Sequence, residues 1–316
     1  GFPTTVNPII QCGAVPVFVD VDLETLNIDV SLIEQAITDK TKAVMVAHTL
    51  GNPFNAPAIR EICDRYGLFM VEDCCDALGS TIDGQMVGTL GDIGTLSFYP
   101  AHHITMGEGG VVFTDNSKLN RIAESFRDWG RDCYCPPGVD NSCKKRFGWS
   151  LGGLPRGYDH KYTYSHLGYN LKITDMQAAC GLAQLDRLPG FVQARKDNYH
   201  YLAAGLGSVS GIRVISATES SDPSWFGLPL MVSQEAAVSR NEIVQSLNEA
   251  GVGTRLVFAG NLIKQPYMKG QSYRVASPLD NTDRVMNDAF WVATYPGLNR
   301  EKMDYMIGAI KKALLG

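Results

Sequence analysis

Leu68-Phe69-Met70-Val71-Glu72-Asp73-Cys74-Cys75-Asp76 sets an apolar strand directly before three carboxylates and two thiols. Just upstream, Ala56 to Tyr66 has helical periodicity, and Ala43 to His48 reads as another strand. Further back, Ser31 to Thr38 reads as an amphipathic helix and Val15-Pro16-Val17-Phe18-Val19 as a strand. Strands alternating with helices predict an α/β fold, with a mostly parallel central sheet and helices on both faces. Ligands in such folds gather beyond the carboxyl ends of the strands. His48, Asp73 and the loop after Phe98 all fall just past strand ends and are candidates to share one cleft. A carboxylate in that place can equally cap the next helix.

From Asp132 to about His166 the periodicity gives way to Pro, Gly, Cys and aromatic residues, a loop length that in a compact domain signals function or disorder. Helix returns at Thr174, whose hydroxyl with Gln177 fits a capping box. A long helix from Pro189 to about Leu206 leads to strands near Ile212 to Ile215 and Phe226 to Met231, then a helix from Arg240 to Ala250. This predicts a large domain over residues 1–188, including the irregular loop, and a linking helix with a smaller C-terminal α/β domain over 189–316.

The 316 residues are 45% hydrophobic and 19% charged, with a net charge of −5 and no dense Lys/Arg block, so neither nucleic acid nor an anionic membrane surface is expected as a partner. Apolar runs are strand-length, and no secretory signal is present, which predicts a cytoplasmic protein. Eight cysteines in a reducing compartment point to metal more readily than to disulfides.

Ser97-Phe98-Tyr99-Pro100-Ala101-His102, followed by Gly107-Glu108-Gly109-Gly110 and Val111-Val112-Phe113, resembles the cofactor-lysine loop of the nucleotide-sugar aminotransferases, fold-type I enzymes that use pyridoxal phosphate. The resemblance spans nearly the whole chain. It implies that His102 stands where those enzymes carry the lysine bonded to the cofactor. Imidazole cannot form that bond, so the expected cofactor is freely dissociable pyridoxamine 5′-phosphate, and the ring nitrogen is left to act as acid or base. By the same resemblance Asp73 pairs with the pyridinium nitrogen, Ser97 binds the phosphate, and Phe2 stacks on the ring. Asp76 replaces the family's glutamine near the ring hydroxyl. Asn170 matches an asparagine that reaches the phosphate of a neighbouring subunit, which implies a homodimer. The family's upstream phosphate loop has no match, and the chain opens at Gly1 without an initiator Met, so a fragment of a longer protein is expected.

Cys133, Cys135 and Cys143 lie in the irregular loop, in neither a paired zinc-finger nor a ferredoxin spacing. With Cys75 they make C-x57-C-x1-C-x7-C, which resembles the [2Fe-2S] site of the iron–sulfur 3-dehydrases of 3,6-dideoxyhexose biosynthesis. Cys74 in place of Cys75, and zinc in place of iron, remain alternatives. Cys12, Cys63 and Cys180 read as small buried apolar residues. The resemblance implies that the 3-hydroxyl of a CDP-linked 4-keto-6-deoxyhexose is removed, with electrons relayed through the cluster from a separate NADH-dependent iron–sulfur flavin reductase. It also implies that Arg255 meets the diphosphate and that His166 lines the site. The rivals are a cluster-free 3-dehydratase of GDP-4-keto-6-deoxymannose, a silent protein that kept the fold, and an aminotransferase using Lys144, Lys145 or Lys172.

Overall fold

A computed structural model describes residues 1–136 and 138–315. Strands β1 (Ala43–Ala47), β2 (Phe69–Asp73), β3 (Ile93–Ser97) and β4 (Gly110–Phe113) form one sheet in that order, the first three parallel and β4 antiparallel at the edge. A second, antiparallel sheet is built from β5 (Ile212–Val214), β6 (Gly227–Val232), β7 (Thr254–Leu256) and β8 (Ala289–Ala293), in the order β7-β8-β6-β5. Helix α1 (Pro3–Gln11) precedes the first sheet, α2 (Ala56–Tyr66) joins β1 to β2, and α3 (Asp175–Leu185) and α4 (Leu188–Leu206) lie between the sheets in sequence.

Local chemistry explains these boundaries. Asn55 caps the Ala58 amide, a proline occupies the first turn of α2, and Gly67 closes the helix in the left-handed region. Thr174 and Gln177 form the expected capping box on α3. Every residue of β6 is buried, which suits its unbroken apolar sequence. Its neighbour Trp225 stacks on Tyr199 of α4 with ring centroids 4.0 Å apart, inside a core that includes Leu202, Leu228, Leu230 and Phe290.

Two expected elements differ. The strand at Val15–Val19 shortens to Val17–Phe18 and pairs with Arg274–Val275, outside the first sheet, because the amide and carbonyl partners it finds belong to the end of the chain. The helix at Ser31–Thr38 is a 3-10 turn, Val30–Leu32, followed by one helical turn, Ile33–Ala36. It stops where Thr38 and Thr41 hydroxyls capture backbone amides. Between Arg127 and Asp175 the described residues contain only the 3-10 turn His160–Tyr162 and isolated bridges. Among the described residues, no helix is long and apolar enough to cross a membrane.

The loop after β1 locks the two halves of the chain together. The Phe226 amide donates to the Leu50 carbonyl at 2.9 Å, and Gly51 has φ of +89°. A Cβ on Gly51 would stand 2.4 Å from the Ser224 carbonyl oxygen and 2.9 Å from that of Asp76. Gly51→Ala therefore combines a positive φ with a backbone clash. We expect it to lower unfolding free energy by at least about 1–3 kcal/mol, read from urea denaturation followed by circular dichroism; an unchanged midpoint would mean that the contact yields freely.

Candidate functional site

Asp73 is the last residue of β2, flanked in register by Ala47 and Thr95, so its side chain stands at the carboxyl edge of the parallel strands. Its Oδ2 accepts from the Thr5 hydroxyl of α1 at 2.7 Å, and its Oδ1 accepts from the Cys75 amide at 3.2 Å. Asp76 follows in the turn that the Ala77 amide closes onto the Cys74 carbonyl. Tyr99-Pro100-Ala101-His102 forms another turn, with Pro100 at its second position and the His102 amide bonded to the Tyr99 carbonyl at 2.9 Å. These two turns bring His102 Nε2 to 3.4 Å from Asp76 Oδ1. His102 Nδ1 is buried and has no protein partner among the described residues. Burial holds the Asp76 carboxyl above the usual range, while His102 opposes that shift.

His103 points the other way. It is buried, and its Nε2 donates to the Ser224 carbonyl at 2.8 Å. Burial pushes its pKa down to about 3, and Arg195 adds to the effect. The adjacent histidines thus divide into one ring facing a carboxylate and one bound to main chain. Phe226 packs against both, with centroids 5.4 Å and 6.2 Å away. Arg195 of α4 donates to the Trp225 and Phe226 carbonyls, and burial draws its pKa down to about 10 against the pull of Asp76.

Other candidates lie in various surroundings. Ser97 ends β3, and its hydroxyl accepts from the Tyr99 amide at 3.2 Å. Phe2, half-exposed, sits edge-on to Phe258 at 5.6 Å. Asn170 pairs with Asp128 in an isolated bridge. His166 Nδ1 meets the Ser125 hydroxyl at 2.9 Å and its ring lies on Phe126, so its bonds go to the helix over Ser117–Arg127. Arg255 is exposed on β7, donates only to its neighbour's carbonyl, and has no carboxylate partner among the described residues. Lys172 pairs with Asp128 and lies over the Trp129 ring. His48, expected near the cleft, is instead buried beneath it. Its Nδ1 accepts from the Phe54 amide and its Nε2 donates to Glu72, which also takes the amides of Gly88, Leu90 and Gly91.

Three of the four expected cluster cysteines come together. Cys133, Cys135 and His160 place their ligand atoms within 4.8 Å of one another, and Cys143 Sγ lies 3.7 Å from His160 Nε2. Hydrogen bonds from Ser142 and the Cys143 backbone lower the Cys135 thiol to about 7. Such a set of soft donors fits an iron–sulfur cluster or zinc. Cys75 is not in that group; its thiol sits against Asp73 and Thr95, and burial pushes its pKa up. Cys74 is fully buried, with its thiol on the Glu72 carbonyl, and is the poorer candidate of the pair. Cys63 is buried as expected, whereas Cys12, just past the end of α1, and Cys180, on α3, are exposed. Thr5, Arg195 and His160 escaped the sequence reading. Only His160 left a signal, as a histidine within the cysteine-rich loop.

The buried imidazoles give folding stability a definite pH dependence. His48 and His103 are both harder to protonate folded than unfolded, so the unfolded chain binds more protons below the ordinary value of 6.5. Their contribution is complete above that pH and is lost as pH falls toward 3, with Asp76 acting in the opposite sense. His103 alone is expected to cost about 2 kcal/mol between pH 6.5 and 5. Urea midpoints should fall over that interval, and His103→Gln, which keeps a donor for Ser224 but does not titrate, should flatten the fall; identical profiles would refute the assignment.

Residues 1–311 match the DegT/DnrJ/EryC1/StrS aminotransferase family. The chain is 64% identical over 313 residues to lipopolysaccharide biosynthesis protein RfbH of Salmonella typhimurium, covering 99% of this chain and 72% of that protein. It is 53% identical over 310 residues to dTDP-4-dehydro-2,6-dideoxy-D-glucose 3-dehydratase of Saccharopolyspora spinosa, covering 98% and 67%. Among solved structures, Escherichia coli GDP-4-keto-6-deoxy-D-mannose-3-dehydratase with bound hydrated PLP superposes with a TM-score of 0.87 at 29% identity, covering 98% of this chain and 77% of that one. The sheet topology, the turn that carries His102 and this likeness along almost the entire length agree: the chain belongs to the DegT/DnrJ/EryC1/StrS aminotransferase family and has the fold-type I architecture.

Proposed function

We propose that this chain is a pyridoxamine phosphate-dependent dehydrase that removes the 3-hydroxyl of a CDP-linked 4-keto-6-deoxyhexose in cytoplasmic 3,6-dideoxyhexose biosynthesis for O-antigen lipopolysaccharide. The observation that carries this reading is His102, a histidine at the family's lysine position, held against Asp76 with its other nitrogen unpaired among the described residues. The names of the two relatives, a 3-dehydratase and a lipopolysaccharide biosynthesis protein, support it.

The residues present fit the cofactor: a carboxylate pair at the strand ends, an unpartnered buried imidazole nitrogen, and a serine hydroxyl one turn away. When bound, the cofactor supplies an electron sink for cleavage of a C–H bond. Asp76, beside Nε2, would orient the His102 imidazole, which would serve as the base or, once protonated, the acid. Thr5 and the Cys75 amide fix the Asp73 carboxylate, which would pair with the pyridine nitrogen of a bound cofactor. Ser97 and Asn170 bind the phosphate, Phe2 covers the ring, Arg255 offers its fork to the diphosphate, and His166 lines the sugar side. Cys133, Cys135, Cys143 and, on its spacing, Cys75 hold the [2Fe-2S] cluster. Such a cluster, held by these thiolates, would allow one-electron transfer, with an NADH-dependent iron–sulfur flavin reductase as the electron source.

A second copy of the chain completes the phosphate site. Asn170 lies in a stretch with a large exposed apolar face, where Leu167 is 95% exposed, Leu171 64%, Met176 80% and Leu182 68%. Helix α3 buries none of its residues within the chain. A face of this kind calls for a partner surface.

Two experiments test the reading. His102→Asn should leave cofactor binding near its original strength while slowing solvent exchange of the cofactor's C4′ hydrogen by about 10²–10⁴-fold; undiminished exchange would remove His102 as the base. Anaerobic paramagnetic-resonance spectra with iron and sulfide assays should reveal a [2Fe-2S] centre lost on replacing Cys133, Cys135 or Cys143. Zinc, or no metal, would move the assignment to a cluster-free dehydratase.

A further inference from the structure

We infer that His160 is a positioning residue of the thiolate site, donating one shared Nε2–H hydrogen bond to the sulfurs of Cys133 and Cys143 and thereby raising the reduction potential of the cluster; this rests on the cluster reading above. His160 Nε2 lies 3.8 Å from Cys133 Sγ and 3.7 Å from Cys143 Sγ, within hydrogen-bond range for sulfur. The ring is fully buried in a loop whose other residues are mostly exposed or half-exposed. Nδ1 has no partner among the described residues, so the sulfurs receive the only polar contacts the ring makes. A metal-bound thiolate accepts and does not donate, which places the imidazole proton on Nε2.

The surroundings hold the ring rather than leaving it to drift. The His160 amide donates to the Arg146 carbonyl at 3.0 Å, Trp149 packs edge-on at 4.5 Å, and Asp159, next in sequence, takes a forked bond from Arg146 at 3.0 and 2.7 Å. A phenylalanine would satisfy Trp149 equally well. What it lacks is a nitrogen between two sulfurs. The Lys145 amide adds a second donor to Cys143 Sγ at 3.4 Å. Hydrogen bonds to cluster sulfurs stabilise the more negative, reduced form, so they move the potential upward.

The test uses the full chain, loaded anaerobically with iron and sulfide, as wild type, His160→Leu and His160→Gln. Wild type is read first: without a [2Fe-2S] spectrum the cluster reading itself falls, and this inference with it. Given that spectrum, a redox titration followed by paramagnetic resonance should place His160→Leu at a more negative potential than wild type. His160→Gln, which retains an N–H donor, should lie between them. Pulsed resonance of wild type should show only weak coupling to nitrogen. An unchanged potential in His160→Leu overturns the hydrogen bond. Strong histidine nitrogen coupling in wild type, or loss of iron from both variants with native circular dichroism, would make His160 a metal ligand and overturn it as well.

Discussion

The main chain at Ser224–Phe226 runs through the interior, where each amide and carbonyl needs a partner. The partners come from distant parts of the sequence: Ser80 takes the Ser224 amide, His103 binds the Ser224 carbonyl, Leu50 takes the Phe226 amide, and Arg195 and Thr294 bind the Trp225 carbonyl. Each bond contributes about 1 kcal/mol net, but a buried group left without its partner costs about 1–3 kcal/mol. That asymmetry fixes the loops after β1 and β2, the turn at residues 99–103 and the long helix α4 relative to one short segment. The meeting of His102 and Asp76 follows from it.

Charge in this region is balanced rather than merely buried. Asp76 stands between His102 and the guanidinium of Arg195, which lies over the Phe226 ring at 5.8 Å. Burial disfavours the charge on this carboxylate, and both neighbours offset part of that penalty, so removing either one would leave the carboxylate worse placed. Beneath, Glu72 gathers three amides and His48, and so holds rigid the strand end that carries Asp73. Thr5 ties α1 to the Asp73 carboxylate.

Much of the scaffold was legible in the sequence because its signals are local. Asn55, Gly67, Thr174 and Gln177 mark helix ends through bonds to their own neighbours, and the apolar run of β6 needs no context. Val15–Val19 misled because a short apolar strand does not say which edge it will join, and here it joins residues more than 250 positions away. At the site, Asp73, Asp76 and His102 were proposed from motif register, and the structure sets His102 against Asp76 and Asp73 against Thr5. Thr5 and Arg195 were invisible, since each acts through a tertiary contact with no spacing rule behind it. Cys75 was grouped with the loop cysteines from its place two residues after Asp73 and from the resemblance, while the structure sets His160 beside the loop sulfurs.

The placing of His102 beside His103 has an evolutionary consequence. The ring that anchors the turn and the ring that faces the cleft occupy consecutive positions and point in opposite directions. Residue 102 can therefore be exchanged for a different reactive group while residue 103 goes on holding the backbone in place. Deleting one residue between 99 and 102 would carry the anchoring ring into the cleft, and inserting one would carry the reactive group into the wall. Evolution is thus free to substitute at this position but barred from changing the length of the segment that carries it.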